Sequence, residues 1–481
     1  VAYCHWKSNE HLRPATLGET DLDLLVARDS APLVAQVLAE TGYKRMAAPS
    51  ARAYVGIEDY LGMDPATGKL IHLHLHYRLV VGEKFLKGFR LPWEARLLST
   101  RRLDPETDIY ISAPEPELIV LLVRGALKHR RRDALQRAGS GPADGDFLRE
   151  FRWLVKRIDP AQLRKEATEL LGAEAAALVE HMVSHGVQSA ALARFRAAIR
   201  NITDTHRTYS PAEATRRRWS REWQARWAGI RSRRFGRREI VRFSNPRGGV
   251  IIAFLGADGS GKSTITSAIA SWLSWRVEVV PLYFGFGDGP VSALRRPLQS
   301  LKALYAQQAA ANKARSQVDN STEALPSWRS LPKAIWRILW SWSIRREKEA
   351  RLREAQQARN LGLVAICDRY PQAQIMALGD GPLLSHWSRH PWAWLRTAAR
   401  RELSAYRRME AVVPDLVIKL QVSPEVSASR KQDGSLESLA RRVEVVNRVE
   451  FPSGAKVVAV DSNRPLELVL IDVKRLVWEA L

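Results

Sequence analysis

Over its first hundred or so residues the chain alternates short strand-like and longer helix-like segments, which predicts a small α/β unit. Leu22-Asp23-Leu24-Leu25-Val26 reads as an apolar strand, Ala31 to Glu40 as a helix that ends in a turn at Gly42. In Leu70-Ile71-His72-Leu73-His74-Leu75-His76-Tyr77 the period of two puts three histidines on one face of a strand and leucines on the other. From Pro114 the pattern turns helical, with segments at Glu115 to Arg124, Asp146 to Ile158, Pro160 to Leu171, Glu174 to His185 and Gln188 to Ile199. The turn residues Ser244-Asn245-Pro246-Arg247-Gly248-Gly249 mark the next boundary. Beyond them apolar strands return at Val250 to Leu255, Val277 to Phe284, Leu363 to Cys367, Pro414 to Leu420 and Val457 to Asp461, separated by helical stretches, the last from Pro465 to Ala480. Strands alternating with helices assemble as a doubly wound parallel sheet. The expected organisation is an α/β domain over 1–112, a helical region over 113–247 and a second α/β domain over 248–481.

A chain of 481 residues exceeds one core of ordinary size, in line with two or three domains. Lys and Arg outnumber Asp and Glu by 75 to 51, a net charge of +24 and a pI near 10.4, which favours anionic partners. The two cysteines, Cys4 and Cys367, have no C-x-x-C spacing, so neither a disulfide framework nor a cysteine zinc site is indicated, and a reducing cytoplasm fits. No apolar run approaches the ~18 residues of a membrane span, and no signal peptide opens the chain. Because a motif follows Val1 almost at once, some N-terminal sequence is expected to be missing.

Two tryptophan-rich segments qualify this picture. Across residues 216–238, Trp219, Trp223 and Trp227 recur every four residues on an arginine-rich helix. Such a stripe suits contact with a membrane surface or polyanion, and equally a connecting helix docked on another domain. Trp336, Trp340 and Trp342 lie on an apolar helical face expected to pack against the sheet.

The strongest chemical signal is Gly256-Ala257-Asp258-Gly259-Ser260-Gly261-Lys262-Ser263-Thr264, which follows the strand at Val250 and opens a helix. It fits the phosphate-cradling pattern G-x-x-x-x-G-K-[ST]. The glycines Gly256, Gly259 and Gly261 let backbone N–H groups turn inward on a polyphosphate, and the helix start adds unpaired donors and a positive dipole end. Lys262 reaches the outer phosphates, and the Ser263 hydroxyl can ligate Mg²⁺. Further on, Asp368 and Arg369 stand at the C-terminal end of a buried strand, the edge at which parallel sheets bind ligands. There Asp368 can hold Mg²⁺ or orient an acceptor and Arg369 can grip a phosphate; the plainer alternative is a salt bridge at a strand end.

Residues 248–481 resemble the thymidylate kinase family of P-loop kinases. The resemblance rests on the G-x-D-G-x-G-K-S-T form of the loop, on Asp368-Arg369-Tyr370, and on Pro414-Asp415-Leu416 followed by Ser423-Pro424-Glu425 and Arg430. It implies that Asp258 faces the acceptor, that Arg369 grips its phosphate, that Arg430 and Arg441 close on the transferring group, and that the loop after Asp461 lies beside adenine. It also implies ATP and Mg²⁺ as cofactors. The family's Arg-Glu-Pro-Gly segment has no counterpart: Phe284-Gly285-Phe286-Gly287-Asp288-Gly289-Pro290 stands there instead, without an arginine. Phosphoryl transfer is thus expected with a nucleotide, nucleoside, sugar or phosphorylated lipid or glycan precursor as acceptor, rather than thymidylate by default.

Gly18-Glu19-Thr20-Asp21-Leu22-Asp23, preceded by Trp6-Lys7-Ser8-Asn9, is similar to the G-x-x-D-x-D signature of the nucleotidyltransferase superfamily. That resemblance implies metal binding by Asp21 and Asp23, which a period of two places on one face of a strand. Lys7-Ser8 replaces the family's Gly-Gly or Gly-Ser, and His74 stands where the third acid is expected. Neighbours at i and i+2 on a strand lie ~7 Å apart, so His72, His74 and His76 offer at most two ligands to one ion, and a polar or site-facing sheet surface is expected. Three functions compete: an ATP-dependent kinase behind a nucleotidyltransferase-like domain, a nucleotide-binding scaffold at a membrane or polyanion, and a nucleotidyltransferase regulated by the second domain. A homodimer is compatible with any of them.

Overall fold

Residues 1–83, 85–128, 145–235, 240–285, 331–374, 381–430 and 436–481 are described by a computed structural model, in which the chain forms two compact units, Val1–Phe243 and Ser244–Leu481. The basic run after Lys128, the break at Gly139 to Pro142, the end of the arginine-rich segment at 236–238, the loop 286–290 and Asp433-Gly434 lie outside the described residues.

The first unit contains β1 (Tyr3–His5), β2 (Leu22–Val26), β3 (Lys44–Met46), β4 (Ile57–Met63), β5 (Leu70–His76), the hairpin strands β6 (Leu79–Glu83) and β7 (Leu86–Leu91), and the short β8 (Arg102–Leu103) and β9 (Tyr110–Ile111). Its main sheet runs β3-β4-β5-β2-β1-β9-β8. β2 and β5 are parallel, with Asp23 opposite His74, while β4 is antiparallel to β5, with Asp59 opposite the same His74. The alternation read from the sequence decides the faces. Leu73 and Leu75 join Leu22, Val26 and Tyr60 in a core against which Val34 and Leu38 of the helix Ala31–Glu40 pack. The histidines face the other way.

That second face carries Cys4, Trp6 and Leu25 into one continuous core with the helices Pro114–Lys128, Gly145–Val155, Pro160–Leu171, Ala173–His185 and Ser189–Ala198. The change from strands to helices near residue 113 therefore does not separate two cores. Leu118, Ile119 and Leu122 of the first of these helices are wholly buried, because a helix that is apolar nearly all round needs cover on both sides. The arginine-rich segment forms the helix Pro211–Phe235, on which Trp219, Trp223 and Trp227 are 57%, 55% and 42% exposed; the last two stack at 5.4 Å.

The second unit has one sheet of five strands, β10 (Val250–Gly256), β11 (Val279–Tyr283), β12 (Val364–Asp368), β13 (Leu416–Gln421) and β14 (Lys456–Asp461). The order is β11-β12-β10-β13-β14 and every pairing is parallel. All seven residues of β10 are buried, as a central parallel strand covered on both faces requires. Helices Lys262–Leu273, Ala393–Glu410, Pro424–Arg430, Leu436–Asn447 and Leu466–Ala480 follow the strands. The tryptophan-rich helix, Leu331–Asn360, meets β10, β11 and β12 of the sheet. Near its N-terminal end Ala334 and Ile338 also pack against Leu384, Trp387, Leu395 and Ala399, so it meets the helix Ala393–Glu410 as well. Thirty residues of helix span ~45 Å, well beyond strands of five to seven residues, and the overhang needs its own cover. Trp336 and Trp340 stack at 5.5 Å there. No helix among the described residues is long and apolar enough to cross a membrane.

Both cysteines are free and wholly buried, Cys4 in β1 and Cys367 in β12. Burial pushes the Cys4 thiol up to about 12 and raises that of Cys367 further. The turn into β12 depends on Gly362, which has φ +77° and whose carbonyl accepts from Asn245 N at 2.7 Å. A Cβ on Gly362 would lie 2.3 Å from the Asn245 carbonyl oxygen. Gly362→Ala is accordingly expected to destabilise the second unit by about 1–3 kcal/mol, read as an earlier unfolding transition in denaturant.

Candidate functional site

At the C-terminal edge of the second unit's sheet, β10 ends at Gly256 and the chain turns through Gly259 and Gly261, at φ +80° and +79°, into the helix at Lys262. Glycine is needed at 259 for a second reason: a Cβ there would stand 2.8 Å from the Ser427 carbonyl oxygen. Lys262, 6% exposed, donates from Nζ to the Ala257 carbonyl at 2.7 Å, so its ammonium arches over the loop. The neighbouring strands hold the loop from both sides. From β12, Asp368 Oδ2 accepts from the Ser263 hydroxyl at 2.9 Å; from the helix after β13, the Ser427 hydroxyl donates to the Asp258 carbonyl at 2.6 Å.

The in-register pairing of Phe254 with Asp368 places the carboxylate beside the loop. Asp368 is 8% exposed, and its Oδ1 is buried with no hydrogen-bond partner. A carboxylate oxygen without a partner, next to a serine hydroxyl, offers the oxygen donors that a hard divalent cation takes, so Asp368 and Ser263 fit Mg²⁺. Arg369 has φ +68°, a left-handed conformation that costs a residue other than glycine about 1–3 kcal/mol. The strained turn brings its guanidinium to Asp258 Oδ1 at 3.2 Å. Gly285, at the end of the described part of the loop after β11, lies against Arg369: a Cβ on it would be 3.1 Å from Arg369 Cδ. Tyr370 is wholly buried, with its hydroxyl donating to the Val412 carbonyl at 2.6 Å, so it anchors the turn.

On the other side of the loop a cavity of about 220 Å³ is walled by Gly261, Thr264, Arg430, Ser462, Arg464 and Leu466. Arg430 donates to the Ser462 carbonyl at 3.0 Å, which joins the helix after β13 to the loop after β14. Of the residues singled out in the sequence, Gly256, Gly259, Gly261, Lys262, Ser263, Asp258, Asp368 and Arg369 come together around one loop. Thr264 and Arg430 line the adjoining cavity. Arg441 is exposed on the helix Leu436–Asn447.

A second polar cluster occupies the histidine face of the first unit. Asp21 Oδ1 is 2.9 Å from His72 Nδ1, and His72 Nε2 is 2.9 Å from Asp59 Oδ1. Asp23 Oδ1 meets Lys7 Nζ at 2.8 Å, His74 Nδ1 at 2.9 Å and His76 Nε2 at 3.5 Å. Asp21 and Asp23 thus face the same side but engage different partners. Burial works against ionisation of Asp23, yet Lys7, His74 and His76 outweigh it and hold the carboxyl well below its usual range. Burial drives His76 well below the usual imidazole value, whereas at His72 the two carboxylates overcome burial and raise it. Asp59 escaped sequence reasoning. Its signal was an acid inside the apolar strand Ile57–Met63, beside the histidine strand.

The single 3₁₀ turn that would follow a phosphate-binding turn, Asn9–His11, is preceded by Ser8 at φ +57°. Its N–H groups already have acceptors: Ser8 N donates to Glu150 Oε1 at 2.9 Å and Asn9 N to Glu117 Oε1 at 3.1 Å. Burial, with Glu150 nearby, pushes the Glu117 carboxyl up to about 8.

The parallel sheet with a glycine loop at its C-terminal edge is compatible with an α/β nucleotide-binding fold. No family model matches the chain. It is 28% identical over 232 residues, 48% of its length, to the uncharacterized ATP-binding protein YghS of Escherichia coli K12, covering 93% of that protein. The uncharacterized ATP-binding protein YghR of the same strain is likewise 28% identical over 223 residues, 46% of this chain and 83% of the relative.

Glu117 gives the first unit a definite pH response. Its folded value, about 8, lies above the ordinary 4.5, so between these values the folded state keeps a proton that the unfolded chain releases. Stability from this group is complete below about 4.5 and is lost as pH rises toward 8. Glu117→Gln should flatten that decline, measured as the first unit's thermal midpoint between pH 5 and 8, set at about those limits by the two values.

Proposed function

We propose that the second unit is an ATP-dependent phosphotransferase of the thymidylate kinase-like P-loop type, acting on a small-molecule acceptor. The observation that carries this reading is the convergence on one loop of Lys262, the Ser263–Asp368 hydrogen bond with its orphan carboxylate oxygen, and the Arg369–Asp258 pair. The ATP-binding relatives support the nucleotide half of it.

In this reading the N–H groups from Gly256 to Ser263 bind the donor's phosphates, with the adenosine end toward the cavity beside Arg430 and Ser462. Lys262 leaves the Ala257 carbonyl for the outer phosphates and neutralises charge as it moves to the bridging oxygen. Ser263 and Asp368 hold Mg²⁺, which when bound supplies positive charge to the phosphate oxygens. On the acceptor side Arg369, released from Asp258, takes an anionic group of the acceptor in a bidentate grip. An acceptor oxygen forms the new bond to the γ-phosphorus as the β–γ bridge breaks and ADP leaves; where the acceptor is a hydroxyl, Asp258, once Arg369 has left it, would orient that hydroxyl and take its proton. Arg430 lines the donor side and contributes to charge neutralisation. No residue of the described site selects thymine.

Nucleotidyl transfer by the first unit has less support, because the Ser8 and Asn9 donors are committed to Glu150 and Glu117. The scaffold reading draws on the exposed Trp219, Trp223 and Trp227 and differs in predicting nucleotide binding without turnover.

Release of ADP across a panel of nucleotides, nucleosides and sugars should occur with at least one acceptor. Lys262→Ala should lower kcat/KM for that reaction by about 10²–10³-fold, as expected for losing a clamp on the transferred group. ATP turnover that survives the substitution unchanged would falsify the kinase assignment. A chain that binds ATP with no turnover on any acceptor would favour the scaffold.

A further inference from the structure

We propose that the first unit binds a divalent transition-metal ion of the Zn²⁺ or Co²⁺ class on Asp23, His74 and His76. The inference is independent of the reading of the second unit. Parallel pairing of β2 with β5 sets Asp23 beside His74, and the strand period adds His76 on the same face. One atom from each then forms a triangle: Asp23 Oδ1 to His74 Nδ1 is 2.9 Å, His74 Nδ1 to His76 Nε2 is 3.3 Å, and His76 Nε2 to Asp23 Oδ1 is 3.5 Å. A tetrahedral ion with bonds of about 2.0–2.1 Å keeps its donors about 3.3 Å apart, which is the size of this triangle.

Without an ion, His74 Nδ1–H and His76 Nε2–H can both donate to Asp23 Oδ1, which Lys7 also contacts, so three donors crowd one carboxylate oxygen and the two ring nitrogens stand 3.3 Å apart with neither accepting from the other. His76 is wholly buried, and its contacts to His74 and Asp23 through Nε2 direct the ring into the cluster. An ion at the centre would take the place of the shared protons and accept a lone pair from each of the three atoms. Two imidazoles and one carboxylate form a borderline-soft set that suits zinc or cobalt better than magnesium. Behind His74, Asp59 Oδ1 lies 3.9 Å from Nε2, too far for a hydrogen bond and engaged with His72 Nε2 at 2.9 Å, so its contribution to His74 is the nearby negative charge. His74 and Asp23 are partly exposed, which leaves a fourth position open to water. Lys7 contacts the same Asp23 oxygen and would share the carboxylate with the ion. Thus the sheet that resembles a two-acid magnesium site would present a different donor set: Asp21 turns to His72, and the histidine in place of the third acid becomes a ligand.

The test is titration of the full chain, free of nucleotide, with Co²⁺. One equivalent should give visible d–d absorption of a nitrogen-ligated tetrahedral ion, bleached by one equivalent of Zn²⁺ and unaffected by millimolar Mg²⁺, the Mg²⁺ level being of that order only. His74→Gln should weaken Co²⁺ binding at least about tenfold. His181→Ala, which disrupts the exposed stacked pair His181 and His185, should leave it unchanged. The proposal is overturned if the parent chain shows no such band, or if a folded His74→Gln keeps the band with Co²⁺ affinity unchanged, whatever His181→Ala does. The parent spectrum does not depend on any variant folding, so a poorly folded His74→Gln leaves the first criterion intact.

Discussion

The complete burial of β10 governs the second unit. A strand flanked by parallel neighbours on both edges and covered on both faces has no freedom in where it ends, so the loop leaving Gly256 starts from a fixed point. Its neighbours then hold that loop by side chains that emerge at the same sheet edge, Asp368 from β12 and Ser427 from the helix that follows β13. The geometry around Lys262 is thereby a property of the sheet more than of the loop, and the strain at Arg369 is tolerable because both sides of that residue are anchored, by β12 and by the buried Tyr370.

The two polar clusters solve opposite electrostatic problems. Around the glycine loop Lys262 and Arg369 are each folded onto an oxygen of their own chain: a carbonyl for the lysine, the Asp258 carboxylate for the arginine. Such contacts are exchangeable for phosphate oxygens at modest cost, because acceptor replaces acceptor. In the first unit three carboxylates, Asp21, Asp23 and Asp59, lie along one face and are engaged by Lys7 and a row of imidazoles. Ionised groups in that setting are retained only with close partners, and the histidines supply them without adding permanent charge. The overall charge of +24 is thus no guide to either site.

Much of the second unit was legible because its signals are local. The strand, loop and helix around Gly256 are adjacent in sequence, and the strand before Asp368 announces its own end. The pairing of Phe254 with Asp368 was inferable only from the general rule that parallel strands bind ligands at their C-terminal edge. For the tryptophan helix, periodicity tells which face is apolar but not what lies opposite: the helix meets the sheet and, through Ala334 and Ile338, the helix Ala393–Glu410 too, which no local pattern announces. In the first unit the histidine and leucine faces of β5 were legible from the period of two, but Asp59 was not. Its role depends on antiparallel pairing between β4 and β5, a contact no local pattern encodes. Likewise Glu117 and Glu150 reach Asn9 and Ser8 across more than a hundred residues of chain, and only the shared core that joins the helices to the sheet brings them there.

The placement of the two cysteines makes the chain its own reporter. Cys4 sits in the central sheet of the first unit and Cys367 one residue before the carboxylate that holds the glycine loop, each sealed from water with its thiol shifted away from the reactive thiolate form. A thiol reagent can therefore modify either only when the unit around it opens. Because each unit contains a single such thiol, the rates at which the two are labelled would separate opening of one unit from opening of the other within the intact protein. Slower labelling of Cys367 alone on adding a nucleotide would assign the bound ligand to the second unit without recourse to catalysis.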